Sequence, residues 1–91
     1  MKYNVRYSDA ALSFLERLSK RNPIDAQRIF NWIGKNLDGC EMPRRMGKAL
    51  SGDFKGAWRY RLGDYRIIAE IHDDTLTILV ITIGNRKNVY D

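Results

Sequence analysis

Cysteine and histidine occur once each in this 91-residue chain, as Cys40 and His72, and proline only twice. A lone cysteine excludes a disulfide framework and a cysteine-based metal site, and it suits a reducing, cytoplasmic compartment. His72 sits beside Asp73 in a turn, where it reads as solvated and structural. With no His/Cys/carboxylate cluster, neither a metal nor any other cofactor is expected. No run approaches the roughly 18 apolar residues of a spanning helix, and the opening segment MKYNVRYSDA has no apolar core. The expectation is a protein that is neither exported nor embedded in a membrane. Repeats, linkers, Gly-rich phosphate loops and nucleophile–base pairs are also missing. Acid is in deficit. Sixteen Lys and Arg against eleven Asp and Glu give a net charge of +5 and a pI near 9.6, which favours a polyanionic partner.

What remains is ordinary globular material, 44% hydrophobic and 30% charged. The length suits one domain, residues 1–91, with a modest core. Tyr3, Val5 and Tyr7 alternate with polar residues and predict a short first strand. Ser8 offers a helix cap, with Asp9 in the first turn where a negative charge suits the dipole. Ala11, Leu12, Phe14, Leu15 and Leu18 follow at helical spacing, which predicts a helix over 9–21. Asn22-Pro23 closes it and opens a second over 23–37, with Ala26, Ile29, Phe30, Ile33 and Leu37 as its buried stripe. Gly39 suits the left-handed position after the helix. Residues 40–56, with three glycines and a proline, read as a loop made basic by Arg44, Arg45 and Lys48.

The segment WRYRLGDYRIIAEI, residues 58–71, organises the rest. Gly63-Asp64 is a two-residue hairpin turn, which sets Leu62 against Tyr65, Arg61 against Arg66 and Arg59 against Ile68. Alternation puts Trp58, Tyr60, Leu62, Tyr65, Ile67, Ala69 and Ile71 on one face, and Arg59, Arg61 and Arg66 on the other. Like charges directly opposed destabilise a sheet, where complementary pairs contribute roughly 0.2–1 kcal/mol. Such a break of local rules is expected at a functional site, and an external anion is the simplest compensation. Arginine suits phosphate because its planar fork donates two parallel hydrogen bonds and keeps its charge. The blander alternative is that these side chains cover sheet hydrophobics with their stems and point into water.

After a tight turn at 72–75, residues 75–83 form a strand apolar on both faces, which places it centrally. The predicted fold is α+β with order β-α-α-β-β-β. A helical hairpin covers one face of a four-stranded, mostly antiparallel sheet of order 2-3-4-1. The other face is expected to be open and to carry Arg59, Arg61, Arg66, Ile68, Leu79, Ile81 and Ile83. Residue 83 is expected opposite position 64, so that Arg86 and Tyr90 could close over the arginines.

The pattern GKALSGDFKGAWRYRLGDYRIIAEI, followed after a short turn by ILVITIGNRKNVYD, resembles the RelE branch of the RelE/ParE toxin superfamily over essentially the whole chain. The resemblance implies the toxin of a type II toxin–antitoxin pair, a metal-independent endoribonuclease that cuts mRNA in the ribosomal decoding site. The RNA's own 2′-hydroxyl would attack, leaving a 2′,3′-cyclic phosphate. Carried over by position, Arg59 and Arg61 are the basic pair of the second strand, and Arg66 neutralises the scissile phosphate. Arg86 follows the glycine ending the last strand, and Tyr90 stacks on a base and assists proton transfer. Arg44, Arg45, Lys48 and Lys87 would contact RNA. The best-known members carry lysines at positions 59 and 61. A guanidinium cannot serve as a general base, so catalysis here is expected to be electrostatic and positional, with the ribosome assisting. The implied partners are a cognate antitoxin, the ribosome and mRNA, with no membrane and no small-molecule ligand. Trp32, which interrupts the wet side of the second helix, either packs or marks an antitoxin groove. The competing class is a ParE-like, non-enzymatic inhibitor of DNA gyrase, and a third is a decayed toxin that only binds its antitoxin.

Overall fold

In the computed structural model, residues 1–85 are described. Strand β1 runs Asn4–Tyr7, helix α1 Asp9–Arg21 and helix α2 Pro23–Asn36, followed by strands β2 Lys48–Ala49, β3 Trp58–Leu62, β4 Tyr65–His72 and β5 Thr77–Asn85. A single 3-10 turn at Gly52–Phe54 interrupts the β2–β3 connection. Local chemistry accounts for the helix ends. Ser8 Oγ accepts from the Ala11 amide and Asn22 Oδ1 from the Asp25 amide, while Pro23 occupies the first turn of α2.

The sheet order is β1-β5-β4-β3-β2, with β1 parallel to β5 and the other pairs antiparallel. It is the expected α+β class and the expected neighbour order with one strand added. Lys48 and Ala49, read as loop, pair with Arg59 and Trp58 and make the sheet five-stranded. Two residues are too few to show alternation, so this strand had no periodic signal.

The helices cover one face. Leu18, Ile29, Ile33 and Leu37 pack onto Tyr60, Ile67, Ala69, Ile78 and Val80, all at 1% exposure or less. Burying one such aliphatic side chain is worth roughly 1.5–3 kcal/mol, so this face dominates stability. The opposite face is less open than expected. Leu50, Ala57 and Ile68 form a second, small core there, with Phe54 and Ile81 against it, because residues 50–57 fold back over the sheet.

The β4–β5 register also departs from expectation. The turn between them is longer than predicted, with Leu76 at φ 50°, and β5 begins at Thr77 rather than 75. A bulge then follows: Ala69 pairs with Val80 but Ile68 with Thr82, leaving Ile81 as the extra residue. Its carbonyl accepts from Ser8 Oγ at 2.7 Å. One added residue reverses sidedness beyond it. Ile83 therefore faces Ile67 in the main core instead of position 64 on the arginine side, and Gly84 takes the place opposite Arg66.

Candidate functional site

The hairpin forms in the predicted register, with Arg61 directly opposite Arg66 and Arg59 opposite Ile68. The added strand extends the pattern, because Lys48 lies directly opposite Arg59. Directly paired residues share a face. Four cations, Lys48, Arg59, Arg61 and Arg66, thus lie in two like-charged pairs on the side away from the helices. On the other flank of Arg66, its partner Gly84 adds no side chain.

These cations differ in exposure. Arg61 and Lys48 are exposed, and Arg61 makes no ion pair with any described residue. Arg59 is 7% exposed and Arg66 only 1%. The Arg66 Nη1 donates to the carbonyls of Gly63, at 3.0 Å, and Tyr65, at 3.2 Å, which ties the guanidinium to the hairpin turn. Removing an ion from water carries an unfavourable desolvation energy. Folding has largely met that for Arg66, and its charge acts through a low dielectric. The group is a desolvated cation rather than an open fork.

The other predicted cations scatter. Arg44 donates through both terminal nitrogens to Asp73, each at 3.0 Å, and Tyr3 Oη donates to the same carboxylate. These bonds hold the Asp73 carboxyl below its usual range and raise the Tyr3 phenol. Arg45 is exposed beside Cys40 and Met42, apart from the arginine row. Arg86, Lys87 and Tyr90 lie outside the described residues. His72 pairs with Glu70 at 3.0 Å. It is six residues from Arg66 along β4, roughly 20 Å at strand rise, so it is remote from the cationic row. Among the described residues no group of three or more His, Cys, Asp or Glu side chains could hold a metal ion. No helix among them is long and apolar enough to cross a membrane.

Sequence reasoning missed the concavity beside this row. Trp32 of α2, half-buried, meets Tyr60 with ring centroids 5.9 Å apart. Together with Met46 and Gly47 they line a cavity of about 230 Å³ that reaches Lys48, Arg59 and Arg61. Burial pushes the Tyr60 phenol far above its ordinary value, so it stays neutral and donates to the Pro43 carbonyl. The available signal was Trp32 itself, a large aromatic on a polar helix side.

Residues 5–90 match the family described as ParE toxin of type II toxin–antitoxin system, parDE. Toxin RelG of Mycobacterium tuberculosis (strain ATCC 25618 / H37Rv) is 30% identical over 90 residues, covering 99% of this chain and 98% of that protein. Toxin RelE of the same organism is 32% identical over 88 residues, covering 97% and 86%. Among solved structures, the RelBE2 toxin–antitoxin complex from M. tuberculosis superposes with a TM-score of 0.82 at 25% identity, over 97% of this chain and 95% of the matched one. The intact E. coli RelBE complex shares the fold, with a TM-score of 0.61 at 18% identity over 91% and 95%.

Proposed function

This chain belongs to the RelE/ParE toxin superfamily of type II toxin–antitoxin systems, and from that premise we propose that it is a ribosome-dependent, metal-independent endoribonuclease held inactive by a cognate antitoxin in the cytoplasm. The observation that carries the reading is the pair of like-charged oppositions, Lys48 against Arg59 and Arg61 against Arg66, on one face. A stability-driven sheet would place opposite charges there. An RNA phosphodiester is the anion that such a row of cations would receive.

In the proposed reaction the 2′-oxygen forms a bond to phosphorus while the bond to the 5′-oxygen breaks. The 2′-hydroxyl proton is lost and the leaving oxygen gains one. Extra negative charge accumulates on the phosphoryl oxygens in between. Exposed Arg61 and Lys48 draw the backbone in, with Arg59 behind them. Arg66 meets the developing charge from its desolvated position. A donor aimed at such developing charge is worth up to the order of 10²–10³ in rate. None of these arginines can take the proton. That task falls to Tyr90, to which the family resemblance assigns proton transfer, and to the ribosome, which holds the mRNA in line.

The test is mapping of mRNA ends in an in-vitro translation reaction. The wild-type chain is expected to cut within codons, and Arg66→Ala to cut at least about 100-fold more slowly while still binding antitoxin. Arg66→Lys, which keeps the buried charge but not the fork, is expected to fall between the two. A fully active Arg66→Ala would remove the assignment. Intact mRNA beside stalled gyrase–DNA complexes would select gyrase inhibition instead.

A further inference from the structure

We propose that the cavity between α2 and the β2–β3 edge is a nucleobase subsite, built around Trp32 and continuous with the phosphate-binding arginines. It rests on the nuclease reading, since it uses Arg59 and Arg61 as the bridge between base and backbone. At about 230 Å³ the cavity is smaller than the ~300–1,000 Å³ of sites for drug-sized ligands. It suits one planar group.

The cavity is held in shape by its surroundings. Trp58 Nε1 donates to the Met46 carbonyl at 2.6 Å, and the Tyr60 hydroxyl donates to the Pro43 carbonyl. These bonds pin both ends of the 43–47 segment to β3. At Gly47, φ is +82°, and an added Cβ would lie 2.3 Å from the Arg59 carbonyl oxygen and 2.8 Å from Trp58 Nε1. Only glycine lets the chain pass so close to the strand. A rigid site loses little entropy when it is filled.

The chemistry of the lining selects the occupant. Trp32 and Tyr60 contribute π surface and Met46, 40% exposed, a polarizable thioether. The three charged residues that contribute to the lining, Lys48, Arg59 and Arg61, are all cationic. Aromatic surface joined to a cationic strip is how proteins hold single-stranded nucleic acid, with bases stacked and phosphates paired. Because the cavity is lined both by Trp32 and by the β3 residues Arg59 and Arg61, a nucleotide seated in it would present its base to Trp32 and its phosphate to the β3 edge. An acidic peptide would meet the same charges without needing a flat aromatic wall.

The chain has two tryptophans, so the indole N–H signals of Trp32 and Trp58 can be followed separately by NMR. The probe is a 2′-deoxy trinucleotide, which cannot be cut, compared with an abasic trinucleotide and with inorganic phosphate. The trinucleotide is expected to shift the Trp32 signal saturably, and the other two to leave it in place. Trp32→Ala is expected to weaken trinucleotide binding about ten- to hundredfold, while Trp32→Phe, which keeps a π face and the packing, retains most of it. Equal binding of abasic and base-bearing probes overturns the proposal. So does a Trp32 signal moved by a poly-glutamate peptide but not by the trinucleotide. Cutting of mRNA with Trp32 unaffected by the probe refutes the subsite alone. Base-dependent binding with no cutting refutes the nuclease reading and leaves the subsite standing.

Discussion

Arginine serves opposite purposes at two places in this sheet. Beside the β4–β5 turn, Arg44 lies against Asp73 with both nitrogens at 3.0 Å, and Tyr3 completes the carboxylate's partners. Beside the β3–β4 turn, Arg61 instead faces Arg66, and Lys48 faces Arg59. The first arrangement fastens the 40–47 segment to the sheet. The second gathers like charges on one face of the sheet. Charge alone therefore does not mark a candidate binding residue; the sign of the residue directly opposite is the better guide.

Arg61→Ala should break the contrast most visibly. Cutting of mRNA is expected to fall about ten- to hundredfold, while chemical denaturation shows the fold unchanged or more stable by about 0.2–1 kcal/mol, because a like-charge opposition is gone. Lower stability with unchanged cutting would erase the distinction between the two regions. Gly47→Ala should come next, at about 1–3 kcal/mol of stability, since it forces a left-handed residue against the Arg59 carbonyl. A variant as stable as the wild type would show that the segment does not need this close approach.

Asp73→Asn should have the smallest effect and leave cutting intact. Its stability deficit should also depend on pH in a defined direction. The folded-state pKa of Asp73 is depressed, chiefly by Arg44 and then by Tyr3. Its contribution is thus present above the ordinary aspartate value of about 3.9 and lost as pH falls through the lower folded value. Melting curves of wild type and variant should converge in acid. A gap that persists there would mean the contact is held by packing rather than charge.

The hairpin at the heart of the site was legible because a two-residue turn admits one register, and each facing pair could be named from the chain alone. Both helices were legible from their stripes and caps, except that Phe30, expected in the buried stripe of α2, is exposed. Three features were not. The β2 strand is too short for a period, the bulge at Ile81 leaves an apolar run looking uniform, and the back-folded 50–57 segment has no regular pattern at all. Arg44 and Lys48 stand four residues apart in one basic stretch, yet one is tied to a carboxylate and the other faces an arginine. That difference is tertiary. The burial of Arg66 was likewise unreadable, because an arginine among alternating strand residues looks the same whether solvated or enclosed.

The extra residue in β5 lets one strand serve two clients that ask for opposite phases. Up to Val80 its inward side chains fill space beneath the helices, and the slip at Ile81 returns Ile83 to that same layer while rotating Gly84 to the flank of Arg66. Were the ladder to run on without the skip, Ile81 would pair with Ile68, Ile83 would crowd Arg66 and Gly84 would fall opposite Tyr65 on the interior side. A slip of register there would be expected to empty the core and crowd the candidate site at one stroke.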